Sequence, residues 1–348
     1  MMRHYQFNML LWMAISLLFL LGGCRKDLCY DHDMHSISYQ TNINATWEQV
    51  WERPYGCHWQ EEWNAETYGT TYDALRPDAA KGIAAIVYET AETKTEGGIE
   101  FHLPANGGLL HTTVNTHSLL FYNDDTERIV FNNIGSSATA SATTRTRTRT
   151  GSIFSGLYTE ERTVSTPDML YGAFAADFEP IAVKGGQQFP ITMRPLVYTY
   201  LIRYEIEQGS QHIALARGAM AGMAESVYLK EGKTSEESAT LLFDCNLTDY
   251  GAEARVMSFG VPGFPDSYYN RASKDVQPHA LNLELMLKNG KKLDFEFDIT
   301  EQMKNQPRGG IITVSGIQIS DEDGMEGGSG FNPDVIDWGE YKDVEIKL

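Results

Sequence analysis

The sequence predicts an all-β protein built from antiparallel sheets that pack as sandwiches. Apolar and polar residues alternate in short segments along most of the chain, which places alternate side chains on one face of a strand. Gly, Asn, Asp and Pro bound these segments, as in the turns of sandwich folds, while the periodicity of long helices is nearly absent. The 348 residues exceed what one hydrophobic core usually organises, so we expect two domains.

The clearest hairpin lies in the segment LNLELMLKNGKKLDFEFDI, residues 281–299. A loop of three residues, 288–290, keeps the apolar residues of both strands on one face and pairs Leu285 with Leu293. It also puts Gly290 where a type I turn followed by a bulge needs a left-handed backbone. A two-residue Asn-Gly turn would direct one apolar set to solvent, and we reject it.

Other alternating segments predict further strands. Leu196–Ile206 forms one long strand after a proline, and residues 311–319 and 344–348 supply late strands. Residues 213–229 remain open between helix and strand, although the two glycines within them count against a helix. Leu119–Tyr122 and Arg128–Phe131 flank an Asn-Asp-Asp turn, so we expect them to pair as a hairpin.

The amino terminus has the layout of a lipoprotein signal peptide. The apolar run Met9–Leu21 is too short to span a membrane, which takes about 20 apolar residues, but it suits a removable signal. It ends in Leu21-Gly22-Gly23-Cys24, the pattern of the bacterial lipobox. We therefore predict a signal over residues 1–23 and acylation of Cys24, with palmitate among the attached chains. The alternative is a plain secretory signal with an accidental cysteine.

Composition shifts divide the predicted mature chain. Residues 24–35 form a lipidated tether, and the polar segment 230–238 separates an amino-terminal domain, residues 36–232, from a carboxy-terminal domain, residues 237–348. The Ser/Thr-rich segment 135–152 is predicted as a solvated, mobile excursion. Its alternating arginines leave open a cleavage site for a trypsin-like protease; they are Arg145, Arg147 and Arg149.

The formal net charge of −19 excludes a nucleic-acid binder, which needs clustered Lys and Arg. It also argues against adhesion to an anionic bilayer by charge. With Cys24 committed to lipid, three cysteines remain, so at most one disulfide forms among Cys29, Cys57 and Cys245.

Catalytic signatures are missing, and we expect no enzyme, cofactor or metal site. Three groups of residues could form sites, but we predict a structural role for each of them. The spacing of Cys29, His32 and His35 could place ligands on a metal, but no second Cys/His pair follows. The acidic residues Asp321, Glu322, Asp323 and Glu326 lack the oxygen spacing of a calcium loop. No partner acid or nucleophile is identifiable in the sequence for His102, His111 and His117.

Four tryptophans lie close together in sequence, at Trp47, Trp51, Trp59 and Trp63. Aromatic rings stack on sugars, so these residues define an alternative function, a glycan-binding surface lipoprotein. The other interpretation is that the rings fill the core of the first sandwich, as most large aromatic side chains do.

Several motifs in order carry a family resemblance. CRKDLCYDH follows the lipobox, and FYNDDTERIVF, TPDMLYGAF, MRPLVYTYLIRYEI, SFGVPG and GFNPDVIDWGEYKDVEIKL follow along nearly the whole mature chain. Together they resemble a Bacteroidales lipoprotein family of unassigned function grouped with the fimbrillin-like proteins, the subunits and anchors of type V pili. The resemblance implies two transthyretin-like sandwich domains, export to the outer membrane as a surface-exposed lipoprotein, and a structural or adhesive role. It brings no catalytic residue.

Within that superfamily, shaft subunits are thought to polymerise by strand exchange after proteolysis near the first strand. An Arg-terminated pro-segment is not apparent before the first strand here, and the Arg-rich segment lies well inside the domain. The resemblance therefore favours a pilus anchor or accessory subunit. Its expected partners are the membrane, through lipid, and other fimbrillin-like subunits, through β-strand addition.

Overall fold

The computed structural model describes residues 39–89, 97–148, 160–265 and 278–325, together with the backbone of 342–344. These residues form strands joined by short helices, which confirms the predicted all-β class. The strands are β1 (Tyr39–Trp47), β2 (Gly82–Glu89), β3 (Ile99–Pro104), β4 (Gly107–Thr112), β5 (His117–Asn123), β6 (Ile129–Asn132), β7 (Ser141–Thr144), β8 (Thr146–Thr148), β9 (Arg162–Ser165), β10 (Tyr171–Phe178), β11 (Gln187–Pro195), β12 (Tyr198–Gln208), β13 (Ile213–Ala224), β14 (Ser226–Tyr228), β15 (Ser238–Thr248), β16 (Gly251–Ser258), β17 (Ala280–Leu287), β18 (Lys292–Asp298), β19 (Gly310–Gln318) and β20 (Lys342–Val344). The helices are α1 (Trp59–Glu62), α2 (Ala65–Tyr68), α3 (Thr300–Lys304) and α4 (Asp321–Met325), with 3-10 turns at Tyr72–Leu75 and Ser210–His212.

The first unit is a seven-stranded sheet in the order β3-β2-β5-β10-β11-β1-β4. Its β10–β11 ladder holds two residue pairs, Tyr171 with Pro195 and Gly172 with Arg194, and the sheet folds over at this corner. Apolar residues of the two halves meet in one core, where Ile43 and Met193 pack with Phe121. The result is a sandwich, although β1 pairs with β11 in parallel.

A small sheet, β14-β7-β6, covers the outer face of β2 and β5. Ala142 of β7 and Val227 of β14 pack in one cluster with Ile86 and Leu120, and all four are buried. All of Ser141–Thr144 is buried, so the prediction that residues 135–152 form a solvated excursion is wrong for this part. Small Ser, Ala and Thr side chains suit a strand between packed layers. The Ser/Thr-rich composition of the segment is equally typical of a mobile loop, so the sequence did not reveal this strand. Arg149 lies outside the described residues.

The predicted hairpin between Leu119–Tyr122 and Arg128–Phe131 is also wrong. Both segments are strands, but β5 pairs with β2 and β10, while β6 pairs with β7. The connection is held from outside the turn, because the Asp168 carboxylate accepts hydrogen bonds from the backbone N–H groups of Glu127 (2.7 Å) and Arg128. This long-range anchor turns the chain away from β5 and into the covering sheet.

The second unit follows the strand order β18-β17-β13-β15-β16-β12-β19. The alternating face of β12 enters its core, with Tyr200, Ile202 and Tyr204 packed among the leucines of β17. The predicted hairpin register is confirmed, since Leu285 pairs with Leu293. Gly290 has the expected positive φ, 86°.

The predicted boundary at 230–238 does not separate the two sheets. β12 and β13 precede it and yet lie in the second sheet, as do β8 and β9, and β14 belongs to the small sheet of the first unit. Residues 213–229, which the sequence left open between helix and strand, are mostly strand, because β13 and β14 occupy most of them. The polar segment 230–238 is a connection with a buried centre at Thr234 and Ser235, and its composition carries no information on which sheet the flanking strands join.

Gly218 in β13 leaves room for two large side chains, those of Phe243, its partner on β15, and of Tyr204 on β12. A Cβ atom there would lie 2.2 Å from Cε2 of Phe243 and 2.7 Å from the hydroxyl oxygen of Tyr204. Because both side chains are buried, neither has room to move away.

We expect Gly218→Ala to lower the free energy of unfolding by about 1–3 kcal/mol through overpacking. Gly135→Ala is the matched control, since nothing lies within 4 Å of a Cβ atom at that position. Urea denaturation followed by fluorescence measures both variants. Equal midpoints for the two variants would contradict the close packing.

Candidate functional site

The four tryptophans do not form one surface. Trp47 belongs to the first unit, where its ring meets that of Tyr171 edge to face at 5.0 Å and its Nε1 donates to the backbone oxygen of Ala105 at 2.8 Å. Trp51, Trp59 and Trp63 lie together against the second unit. The prediction of a single cluster is thus corrected, because the chain leaves the first sheet directly after Trp47.

The segment 48–80, which we call the strap, carries the other three tryptophans across the outer face of the second unit. Trp51 is 1% exposed and packs on Leu201 of β12 and Ile311 of β19. Ring centroids lie 5.9 Å apart between Trp51 and Trp63 and 5.2 Å apart between Trp51 and Tyr72. The rings contact each other and the sheet, so they fix the strap to the second unit. Glycan binding by these residues stays an untested prediction.

Arg203 of β12 anchors the strap beside this cluster. Its side chain is nearly fully buried, and its guanidinium carbon lies 5.4 Å from the Tyr68 ring centroid and 4.3 Å from that of Tyr250. It donates a hydrogen bond to the backbone oxygen of Thr67. The buried cation is therefore held by two aromatic faces, a carbonyl from the strap and Glu205 at 3.9 Å, while its Nε has no hydrogen-bond partner among the described residues.

Glu52 is a carboxylate in the same interface and is 2% exposed. The Tyr72 hydroxyl donates to its Oε1 at 2.9 Å. Burial raises the pKa of Glu52, and the Tyr72 hydrogen bond and the charge of His58 oppose the shift without cancelling it.

Two glutamines close the edge of β19. Gln302 accepts from the backbone N–H of Thr313 (3.1 Å) and donates to its carbonyl (2.9 Å). Gln306 does the same for Ile311, at 2.9 and 2.7 Å, and accepts the indole N–H of Trp59 at 3.0 Å. These side chains imitate the hydrogen bonds of a neighbouring strand, so this edge of the second unit is occupied.

An open groove lies in the first unit between β10 and β11. The two strands diverge beyond the pair Gly172–Arg194, and within the described ranges no strand pairs with either of them on the facing side. The groove has a volume of about 640 Å³ and is lined by residues 172–175 of β10 and by residues 189–192, 194 and 195 of β11. Ala173, which is half-buried, packs against the first-unit core. Two diverging strand edges with unpaired main-chain groups are suited to an extended peptide.

The other predicted residues do not converge on a site. Asp321 and Asp323 both lie in α4, where Asp323 contacts Lys291 at 2.7 Å. His102 faces Asp124 at 3.1 Å, an acid that the sequence did not reveal. His117 lies 3.3 Å from the Thr113 hydroxyl, but its buried Nδ1 has no partner in the described part of the chain, where no acid orients the ring. Among the described residues no group of His, Cys, Asp and Glu could hold a metal.

Several predicted residues lie outside the described ranges, namely Cys24, Cys29, His32, His35 and Glu326. Within those ranges, helices long and apolar enough to cross a membrane are lacking.

Comparisons with known proteins place this fold. Residues 74–244 match the model of a family described as a domain of unknown function, DUF5119. A candidate adhesin from Bacteroides ovatus is similar in structure, with a TM-score of 0.57 and 16% identity, over 83% of this chain and 94% of that chain. The match confirms the predicted resemblance to a family of unassigned function, and the similar structure shows that the fold is shared. No curated protein sequence matches the chain.

Two more distant structures are also similar over most of their length. One is described as a candidate polysaccharide-binding protein of Bacteroides thetaiotaomicron, with 9% identity and a TM-score of 0.41, over 80% of this chain and 91% of that one. The other is the fimbrial anchor protein Mfa2 of Porphyromonas gingivalis, with 10% identity and a TM-score of 0.38, over 79% of this chain and 90% of that one.

We expect Gln306→Ala to lower the free energy of unfolding by about 2–4 kcal/mol, since each buried polar group left without a partner costs about 1–3 kcal/mol. The opened edge of β19 is also expected to promote self-association. Gln60→Ala, on the exposed side of α1, is the control. Chemical denaturation and sedimentation velocity measure the two effects, and a stable monomeric Gln306→Ala protein would show that the edge needs no cover.

Glu52→Gln should stabilise the protein more at pH 7 than at pH 4. The folded-state pKa of Glu52 lies above its ordinary value of 4.5, so its favourable contribution is present below that value and is lost as the pH rises through the folded-state pKa. Glutamine retains an oxygen for Tyr72 and removes the buried charge. Denaturation at both pH values measures the effect, with Glu61→Gln on α1 as the control for total charge. A benefit that is independent of pH would count against a buried carboxylate.

Proposed function

We propose that this chain is a structural or adhesive protein of the bacterial cell surface and not an enzyme. The observation that carries the proposal is the fold shared with the Bacteroides ovatus candidate adhesin over 83% of this chain. The order of the sequence motifs supports a fimbrillin-like lipoprotein, and among the described residues no group of His, Cys, Asp and Glu could hold a catalytic metal.

In this proposal the protein is held in the outer membrane by lipid on Cys24. The lipobox supports acylation of Cys24. Stable anchoring requires two or more acyl chains, because one chain binds a bilayer only marginally. The position of β1 supports an anchor or accessory subunit that keeps its first strand. β1 lies between β4 and β11, so its removal would break two ladders of the sheet.

The groove between β10 and β11 is the proposed contact with another fimbrillin-like subunit. An extended segment of the partner would add to the unpaired strand edges by main-chain hydrogen bonds, while its alternate side chains enter the groove. The covered edge of β19 supports this choice, because strand addition there would have to displace Gln302 and Gln306 first.

Cys24→Ala is expected to abolish incorporation of labelled palmitate and to release the protein from the outer-membrane fraction. Cys57→Ala is the control, since Cys57 lies within the folded part of the chain. Radiolabelled cells and membrane fractionation provide the measurement. Palmitate labelling that survives Cys24→Ala would remove the proposed anchor.

The partner contact is tested with a photo-crosslinking amino acid in living cells. Placed at Thr192, an exposed residue of β11 in the groove, it should give an adduct whose second component is a fimbrillin-like surface subunit by mass spectrometry. Leu109, exposed on β4, is the control position. Absence of the adduct, or equal adducts at both positions, would refute strand addition at the groove.

A further inference from the structure

The groove between β10 and β11 is basic at the end nearest the second unit. Arg53, Arg194, Lys230 and Arg308 line this end. The whole chain has a formal net charge of −19, so a group of four cations around one opening is not expected from its composition. This end is also where β10 and β11 come together at the pair Gly172–Arg194.

Only one of these cations is neutralised by a described carboxylate. Arg53 forms a two-pronged ion pair with Glu48, at 2.7 and 2.8 Å. Glu231, the other acid of the lining, lies 3.0 Å from Lys233 instead. Arg194, Lys230 and Arg308 are left without an acidic partner among the described residues. The opening therefore carries positive charge that the described part of the fold does not balance.

Arg308 is held in place as part of this surface. Its guanidinium carbon lies 4.3 Å from the Phe264 ring centroid and 5.5 Å from that of Tyr198, and its Nη2 donates to the backbone oxygen of Gly232 at 2.6 Å. Its Nε is buried and has no hydrogen-bond partner among the described residues, so it cannot reach a ligand in the groove. The terminal nitrogens of the fixed guanidinium are the donors suited to a carboxylate, which accepts several charge-assisted hydrogen bonds.

Lys230 and Arg194 stand at the surface of the same opening. Both are exposed, and the Lys230 ammonium lies 5.2 Å from the Phe174 ring centroid, above β10. Exposed cations of this kind accelerate the approach of an oppositely charged partner, whereas Arg308 contacts it after docking.

We propose that the groove takes an extended segment of another protein whose leading end carries acidic side chains, and that these side chains bind at Arg194, Lys230 and Arg308. The inference rests on the proposed strand addition and adds the chemistry of the partner. The strand edges bind the backbone without regard to sequence, and the basic end selects a segment with carboxylates at one terminus and sets its direction of entry.

A phage library of random twelve-residue peptides, selected on the purified wild-type protein, tests the proposal. We expect the selected peptides to alternate apolar and polar residues and to carry Asp or Glu near one end. Synthetic copies should bind the Arg194→Gln, Lys230→Gln double variant about tenfold more weakly, and the wild type more weakly at 500 than at 50 mM salt. Arg255→Gln, an exposed arginine on β16, is the control and should leave the affinity unchanged.

The outcomes separate the inference from the proposed function. Peptides that protect the amides of β10 and β11 from hydrogen exchange, but lack acidic residues or bind the double variant equally well, overturn the acidic partner and leave strand addition standing. A library that yields no peptide protecting these amides overturns both. Self-association of the wild type that the double variant abolishes identifies the occupant as a second copy of this chain and also overturns the proposal.

Discussion

Burial of β12 on both faces is the constraint on which the rest of the structure depends. Its inward face supplies Tyr200, Ile202 and Tyr204 to the second-unit core, and its outward face supplies Leu201 and Arg203 to the strap. A sandwich strand usually has one face in contact with solvent. Here a segment that leaves the end of the first sheet covers that face, so the strap links the two units along the chain and packs on the second.

The alternation of side chains allowed much of this architecture to be predicted. The long strand after Pro195 and the hairpin at Gly290 follow from local rules, because strand periodicity and turn geometry are decided by neighbouring residues. The partners of each strand were not predictable in the same way. β5 and β6 are adjacent in sequence and yet join different sheets, and the decisive contact comes from Asp168, some forty residues further along the chain. Such long-range contacts leave no local pattern.

The candidate site shows the same division. Tryptophan spacing identified a cluster, but not that Trp47 would separate from the other three, since the separation depends on where β1 ends. The groove had no signature at all. It arises from divergence of β10 and β11, which are nine residues apart in sequence at their facing ends and contribute ordinary alternating residues. The cations around it come from four separate segments, so only the folded chain reveals that they share one opening.

The position of β1 has a mechanical consequence. This strand follows the proposed tether and is paired with β11 over Thr41–Trp47 and with β4 over Tyr39–Asn44. Tension from the membrane would run along the strand axis and load both ladders in shear. Many hydrogen bonds would then carry the force at the same time, whereas a force perpendicular to the strand would break them one after another. A domain anchored in this way is arranged to resist traction on a cell exposed to flow.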